Sequence, residues 1–192
     1  MARARKATKR APTRAKAKAR AKAKASARPP ARKVSPVPAG YHTATPYLTV
    51  NDGAGALEFY KRALGAREVM RMAMPDGKIG HAEIRIGDSV IMLSDECPGA
   101  TTKAPASLGG TTGSVMLYVP NVDAAFKKAV DAGCTSLMAP ADMFWGDRFG
   151  KLEDPYGNQW GMATHQEDVP PRQMAERAKA AMAAMAAGQG GA

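Results

Sequence analysis

The chain has little cysteine, no long apolar run and few aromatic residues, and each shortage excludes something. Two cysteines in 192 residues, Cys97 and Cys134, cannot build a disulfide framework, and neither lies in a C-x-x-C or Cys/His cluster. That usage fits a reducing compartment, so the expected location is cytoplasmic. The apolar runs are a few residues long, far short of the roughly 20 needed to cross a bilayer, so no membrane role is expected. Residues 1–33 contain no acidic residue and no aromatic residue, yet carry fourteen of the 28 Lys and Arg. The other 159 residues hold the remaining fourteen against all 17 acids, a net of −3, so the overall charge of +11 belongs to the tail.

A Lys/Arg/Ala tail without bulky side chains has no apolar face to bury, and residues 1–33 read as a disordered extension. Its run Lys16, Lys18, Arg20, Lys22, Lys24 resembles the Lys/Ala-rich tails of bacterial histone-like proteins. Such charge releases counterions from any polyphosphate, so non-specific, salt-sensitive DNA binding and nucleoid association are the partner expectations here. A secretory leader is not expected, because no apolar h-region is present.

Residues 34–40 form a Pro-rich linker, and from Tyr41 the pattern becomes that of a folded domain. A strand over 41–50 is followed by a cap at Asn51 or Asp52, a helix over 56–64 stopped by Gly65, and three strands over 67–74, 79–86 and 89–95 separated by Pro75-Asp76-Gly77 and Gly87-Asp88 turns. After a Gly/Thr/Pro-rich loop the order returns: strand 114–119, cap Asn121, helix 122–132, Gly133, then strands 135–138, 148–153 and 159–164. Val119 follows Val50 by 69 residues, and Gly133 and Phe149 follow Gly65 and His81 by 68. The chain is an internal duplication of one βαβββ module, too long in period for a solenoid. Residues 168–192 are Ala/Met-rich, with Met174, Met182 and Met185 near one face of a terminal helix.

The densest polar-aromatic stretch is Phe144 to Trp160, two strands around the turn Asp154-Pro155-Tyr156-Gly157-Asn158. Trp145, Arg148, Phe149 and Lys151 are taken to face a cavity, with Tyr47 and Tyr118 on the same side of the two first strands. Trp160, beside Met162, reads as a core anchor, and a core anchor is the equal alternative for Trp145. Arg148 and Lys151 favour an anionic organic ligand. In 79–86, Ala82, Ile84 and Ile86 alternate with His81, Glu83 and Arg85, so one face suits the core and the other looks outward. His81 and Glu83 are two apart on one face, a spacing that lets a carboxylate orient an imidazole for acid/base work, and they are the candidate catalytic pair. The plainer alternative is a solvated face with a Glu83–Arg85 ion pair, and His42 and His165 read as surface residues.

Thr45 to Val50, Phe59 to Ala66, Gly80 to Ile84, Phe144 to Arg148 and Asp154 to Asn158 together resemble the vicinal oxygen chelate superfamily, the glyoxalase, bleomycin resistance and dioxygenase group, in its PhnB-like branch. The resemblance covers about 41–167, with modules at about 41–96 and 112–167. It implies an α+β fold in which two βαβββ modules pair into a U-shaped cleft, and a homodimer. Enzymes of the group hold a divalent metal through His, Gln or Glu at four positions. By strand register these are about Thr45, Ile91, Ser114 and Gly161, none a competent ligand. The expectation is therefore a small-molecule-binding protein of the bleomycin-resistance type without a metal or other cofactor. The alternatives are a lyase, isomerase or dioxygenase using His81 and Glu83 or an unusual metal site, and a nucleoid-associated protein acting through the tail.

Overall fold

The computed structural model describes residues 34–189, and the tail sites Lys16, Lys18, Arg20, Lys22 and Lys24 lie outside them. The first module runs β1 (Tyr47–Val50), α1 (Gly53–Leu64), β2 (Arg67–Ala73), β3 (Ile79–Ile86) and β4 (Ser89–Asp95). A short helical turn, α2 (Pro105–Leu108), interrupts the connection. The second runs β5 (Ser114–Tyr118), α3 (Val122–Ala132), β6 (Thr135–Asp142), β7 (Asp147–Glu153) and β8 (Gln159–His165), followed by α4 (Pro171–Gln189). Each module is a four-stranded sheet, ordered β1-β4-β3-β2 and β5-β8-β7-β6, with its first strand parallel to its last and the other pairs antiparallel. This is the α+β duplication read from the sequence.

Local chemistry sets the elements. The Asp52 carboxylate accepts from the Gly55 N–H and caps α1, while Asn121 does the same for α3 through Ala124. Gly65, at φ 66°, ends α1 in the left-handed conformation that a side chain disfavours, returning its N–H to the Tyr60 carbonyl. Two boundaries differ from expectation by four residues or more, and the first helix starts three residues early, at Gly53. Residues 41–45 are not strand; Pro46, which has no N–H to give a ladder, precedes β1. Strand β6 runs on to Asp142 past Pro140, with register breaks around Met138.

Both helices lie on one side of the sheets and pack against each other, so a single core spans the two modules. Leu57, Tyr60, Ile84, Leu93, Leu152 and Trp160 are fully buried in it. The residues that alternate with these point the other way, leaving an open face on each sheet. Exposure of Tyr47 (50%), Met72 (57%) and Tyr118 (65%) marks these faces. The modules are also tied by a polar hub. Asp154, buried at the β7–β8 turn, accepts from Tyr60 Oη of α1 at 2.8 Å, Trp160 Nε1 at 2.9 Å, and the Tyr156 and Asn158 backbone N–H groups, both at 2.9 Å. Burial, with Asp154 beside it, pushes the Tyr60 phenol well above its ordinary pKa.

Candidate functional site

The open face of the first sheet carries a connected line of polar groups. In β3, Ala82 and Ile84 are fully buried toward the helices, which turns His81 and Glu83 to the open side, as their alternation predicts. Glu83 is nonetheless only 6% exposed. Its Oε1 lies 3.2 Å from His81 Nε2, and its Oε2 accepts a hydrogen bond from the Tyr41 hydroxyl. Tyr47 Oη is 3.1 Å from His81 Nδ1. An ionised carboxylate only accepts, so His81 Nε2 carries a proton and, in the neutral ring, Nδ1 accepts from Tyr47. The Tyr41 hydrogen bond, helped by His81, holds the Glu83 carboxyl below the usual carboxylate range. Arg85 does not pair with Glu83; its guanidinium donates to the backbone carbonyls of Gly40 and Asp88. The arrangement is an acceptor flanked by an oriented imidazole, able to grip a hydrogen-bond donor or to move a proton.

The second sheet has its own polar knot. Asp147, 4% exposed, accepts from Tyr118 Oη at 3.1 Å and Trp145 Nε1 at 3.1 Å, and its Oδ1 lies 2.7 Å from His165 Nδ1. Asp147, with Asp168 behind it, raises the His165 pKa above its ordinary value. Phe149 stacks edge-on to Trp145 at 5.9 Å between ring centroids. Lys151 shares the open side with Phe149. Trp160 is fully buried, as expected of a core anchor.

Arg148 does not face the cavity. It alternates with Phe149 and so lies on the helix side with Leu152, where Asp123 at the start of α3 takes a two-pronged ion pair at 2.8 Å and Asp142 a third contact at 3.1 Å. The structure therefore brings Tyr47, His81 and Glu83 together on one sheet and Tyr118, Trp145 and Phe149 on the other, and removes Arg148 from both. Tyr41 and Asp147, central to the two networks, were missed. Tyr41 contacts a residue 42 positions away, and Asp147 reads as turn chemistry; period-two alternation with Phe149 was the one available signal for the latter.

Two hollows adjoin these faces. One of about 460 Å³ lies where the first strands of the modules begin, lined by Tyr47, Thr49, Thr112, Ser114 and Gln159 among others. Tyr47 thus joins this hollow to His81. A groove of about 700 Å³ runs between the start of β4 and β5, past Val90, Met116 and Tyr118.

The four metal positions implied by the resemblance do not fit a metal. Ile91 is buried in the core, the Thr45 hydroxyl donates to the His42 carbonyl, and Ser114 offers only a hydroxyl. At Gly161 a Cβ would stand 2.7 Å from Met116 Sδ and 2.9 Å from a Phe149 ring carbon, so the space is filled by the sheet's own side chains. Among the described residues no three His, Cys, Asp or Glu groups are placed to hold a metal ion.

Residues 41–162 match the sequence profile of the Glyoxalase/Bleomycin resistance protein/Dioxygenase superfamily. The chain belongs to this superfamily. An uncharacterised protein of Mycobacterium tuberculosis H37Rv is 41% identical over 128 residues, which are 65% of this chain and 75% of that one. Among solved structures, a gene product of Arabidopsis thaliana is 29% identical, with a TM-score of 0.52 over 64% of this chain and 98% of its own. A PhnB protein of Bacillus cereus, described as a putative 3-demethylubiquinone-9 3-methyltransferase, shares the fold at a TM-score of 0.50 and 18% identity, over 64% of this chain and 99% of its own. These structures share the α+β fold of two four-stranded sheets, and a PhnB protein is among them. No helix among the described residues is long and apolar enough to cross a membrane.

Proposed function

We propose that this superfamily member binds a small organic molecule on the open face of its first sheet, and does so without a divalent ion at the four positions that the superfamily's enzymes use. The observation that carries this reading is Glu83: a carboxylate withdrawn from water yet turned toward the open side, with His81 fixed on one oxygen and Tyr47 fixed on His81. Polar groups that converge beside apolar surface are what a small-molecule site requires. Here the apolar part comes from Tyr47, Met70 and Met72, with Tyr118, Trp145 and Phe149 as its counterpart on the second sheet. Arg148 is already neutralised by Asp123 and Asp142, so the argument for an anionic ligand retains only Lys151.

The same pair favours one second reading, an enzyme in which Glu83 orients His81 as general base. A thermal-shift screen of the dialysed full-length chain against small organic molecules and against Mn²⁺, Ni²⁺, Zn²⁺ and Fe²⁺, with elemental analysis for metal and an assay for turnover of each stabilising molecule, separates the two, since a ligand of the native state raises the melting temperature and only an enzyme converts it. Saturating shifts with an organic ligand, lost in His81→Ala, are expected. Stoichiometric bound metal, lost in His81→Ala, would overturn the metal-free reading.

Two assembly proposals accompany it. The exposed apolar side chains of both open faces support a homodimer, which light scattering would read as twice 20.2 kDa. The fourteen unopposed cations of residues 1–33 support non-specific DNA binding, and with it a nucleoid-associated location. Affinity for an arbitrary duplex should fall steeply with salt and vanish on deletion of residues 1–33. Equal affinity without them would rule the idea out.

A further inference from the structure

We infer that the segment Pro38–Thr45 is a strap whose Tyr41 phenol occupies the first-sheet site as an internal substitute for its ligand, and that the ligand is accordingly a neutral aromatic molecule bearing a hydroxyl. This rests on the reading of that face as the binding site.

Three observations lead there. Tyr41 belongs to neither module's regular structure: it precedes β1 and lies outside any strand, yet its hydroxyl reaches Glu83 Oε2 across 42 residues of sequence. A buried carboxylate left without donors is costly, so a ligand that displaces Tyr41 returns a hydrogen-bond donor to the same oxygen, and the hydroxyl it replaces sets the pattern. The lowered pKa of Glu83 keeps it ionised, and a carboxylate repels an anionic group brought beside it, which disfavours a phosphate or carboxylate; the donor it now holds is a neutral hydroxyl. The shape requirement follows from the present occupant, a phenol on Glu83 Oε2, while His81 holds the other oxygen and stacks 5.7 Å ring to ring from Tyr47.

The strap is also held in a way that permits release. The Tyr41 N–H bonds only within the strap, to the Pro38 carbonyl. Its ties to the sheet are side-chain contacts: Tyr41 to Glu83, Arg85 to the Gly40 carbonyl at 3.1 Å, and an exposed His42–Asp88 approach of 3.8 Å. Gly40 stands at φ 83°, and a Cβ there would lie 3.0 Å from the Arg85 guanidinium, so the strap turns there because glycine lets it. Backbone pairing with the sheet begins only at the Pro46 carbonyl, which accepts from the Met92 N–H. A segment fixed by a few side chains opens at much lower cost than a sheet strand.

The test uses full-length protein and p-cresol, which is the tyrosine side chain as a free molecule, with toluene as the same shape lacking the hydroxyl. Calorimetric titration should show p-cresol binding Tyr41→Ala at least tenfold more tightly than wild type, with no comparable gain for toluene. Tyr41→Phe, which removes only the hydroxyl, should gain at least threefold. Adding Glu83→Gln to Tyr41→Ala should cancel the p-cresol gain. The strap proposal is overturned by unchanged p-cresol affinity in both Tyr41 variants, by an equal gain for toluene, or by a gain that survives Glu83→Gln. If the Tyr41 variants gain nothing while screened ligands still lose binding in His81→Ala, the strap is wrong and the site stands. If His81→Ala changes nothing, the site itself is wrong.

Discussion

Asp154→Ala is expected to cost about 3–5 kcal/mol of folding stability, because it strands several buried hydrogen-bond donors at once. The magnitude follows from what is left behind. Asp154 is 4% exposed and collects the Tyr60 hydroxyl, the Trp160 indole N–H and two backbone N–H groups. Tyr60 and Trp160 are themselves fully buried, so their donors have no water to turn to. Each stranded donor costs about 1–3 kcal/mol. The loss is felt in both modules, because Tyr60 sits on α1 and Asp154 on the β7–β8 turn. Asp154→Asn keeps the shape and one acceptor oxygen and should cost less, since it sets an amide NH₂ against only some of these donors. Urea denaturation checks both variants. A loss below about 1 kcal/mol for Asp154→Ala would mean that the hub does not tie the modules together.

Glu83→Gln should weaken binding of a hydroxyl-bearing ligand by about 10- to 100-fold, the equivalent of the roughly 1.5–3 kcal/mol assigned to a hydrogen bond with a charged partner. The substitution keeps the volume and one carbonyl oxygen but removes the charge, and its NH₂ can meet His81 donor to donor. The pH dependence has a definite sign. The folded-state pKa of Glu83 is depressed below the ordinary 4.5, so its contribution to stability is present above that value and is lost as pH falls through the folded pKa. Wild type should therefore lose stability on acidification below about pH 4.5 by an amount that Glu83→Gln does not show. Denaturation at neutral and acidic pH compares them. Equal ligand affinity in wild type and Glu83→Gln would remove the carboxylate from the site.

The duplicated architecture was legible because it rests on local signals repeated at a fixed interval: the Asp52 and Asn121 caps, the Gly65 and Gly133 stops, and period-two alternation through β3. That alternation also placed His81 and Glu83 on the open face. Arg148 shows how the same rule is lost in a crowded stretch. Alternation alone sets it with Gly150 and Leu152 on the helix side, but the density of polar and aromatic residues around it suggested a cavity wall, and its partner Asp123 lies 25 residues away. Asp154 was visible as a turn residue and invisible as a hub, since Tyr60 is 94 positions distant. Tyr41 was hidden for the same reason: no spacing rule connects a residue outside the strands to a carboxylate that only the fold brings near.

The most direct test of the binding site is a titration of isotope-labelled full-length protein with a ligand from the thermal-shift screen, following backbone amides and histidine ring signals by NMR. The account predicts that the largest saturating shifts fall at Tyr47, His81, Glu83 and Met92, the last paired with Tyr47 and Glu83 across the open face of the first sheet, with the His81 ring among them. Shifts confined to the groove past Met116 and Tyr118, or spread without any change at His81, would contradict it.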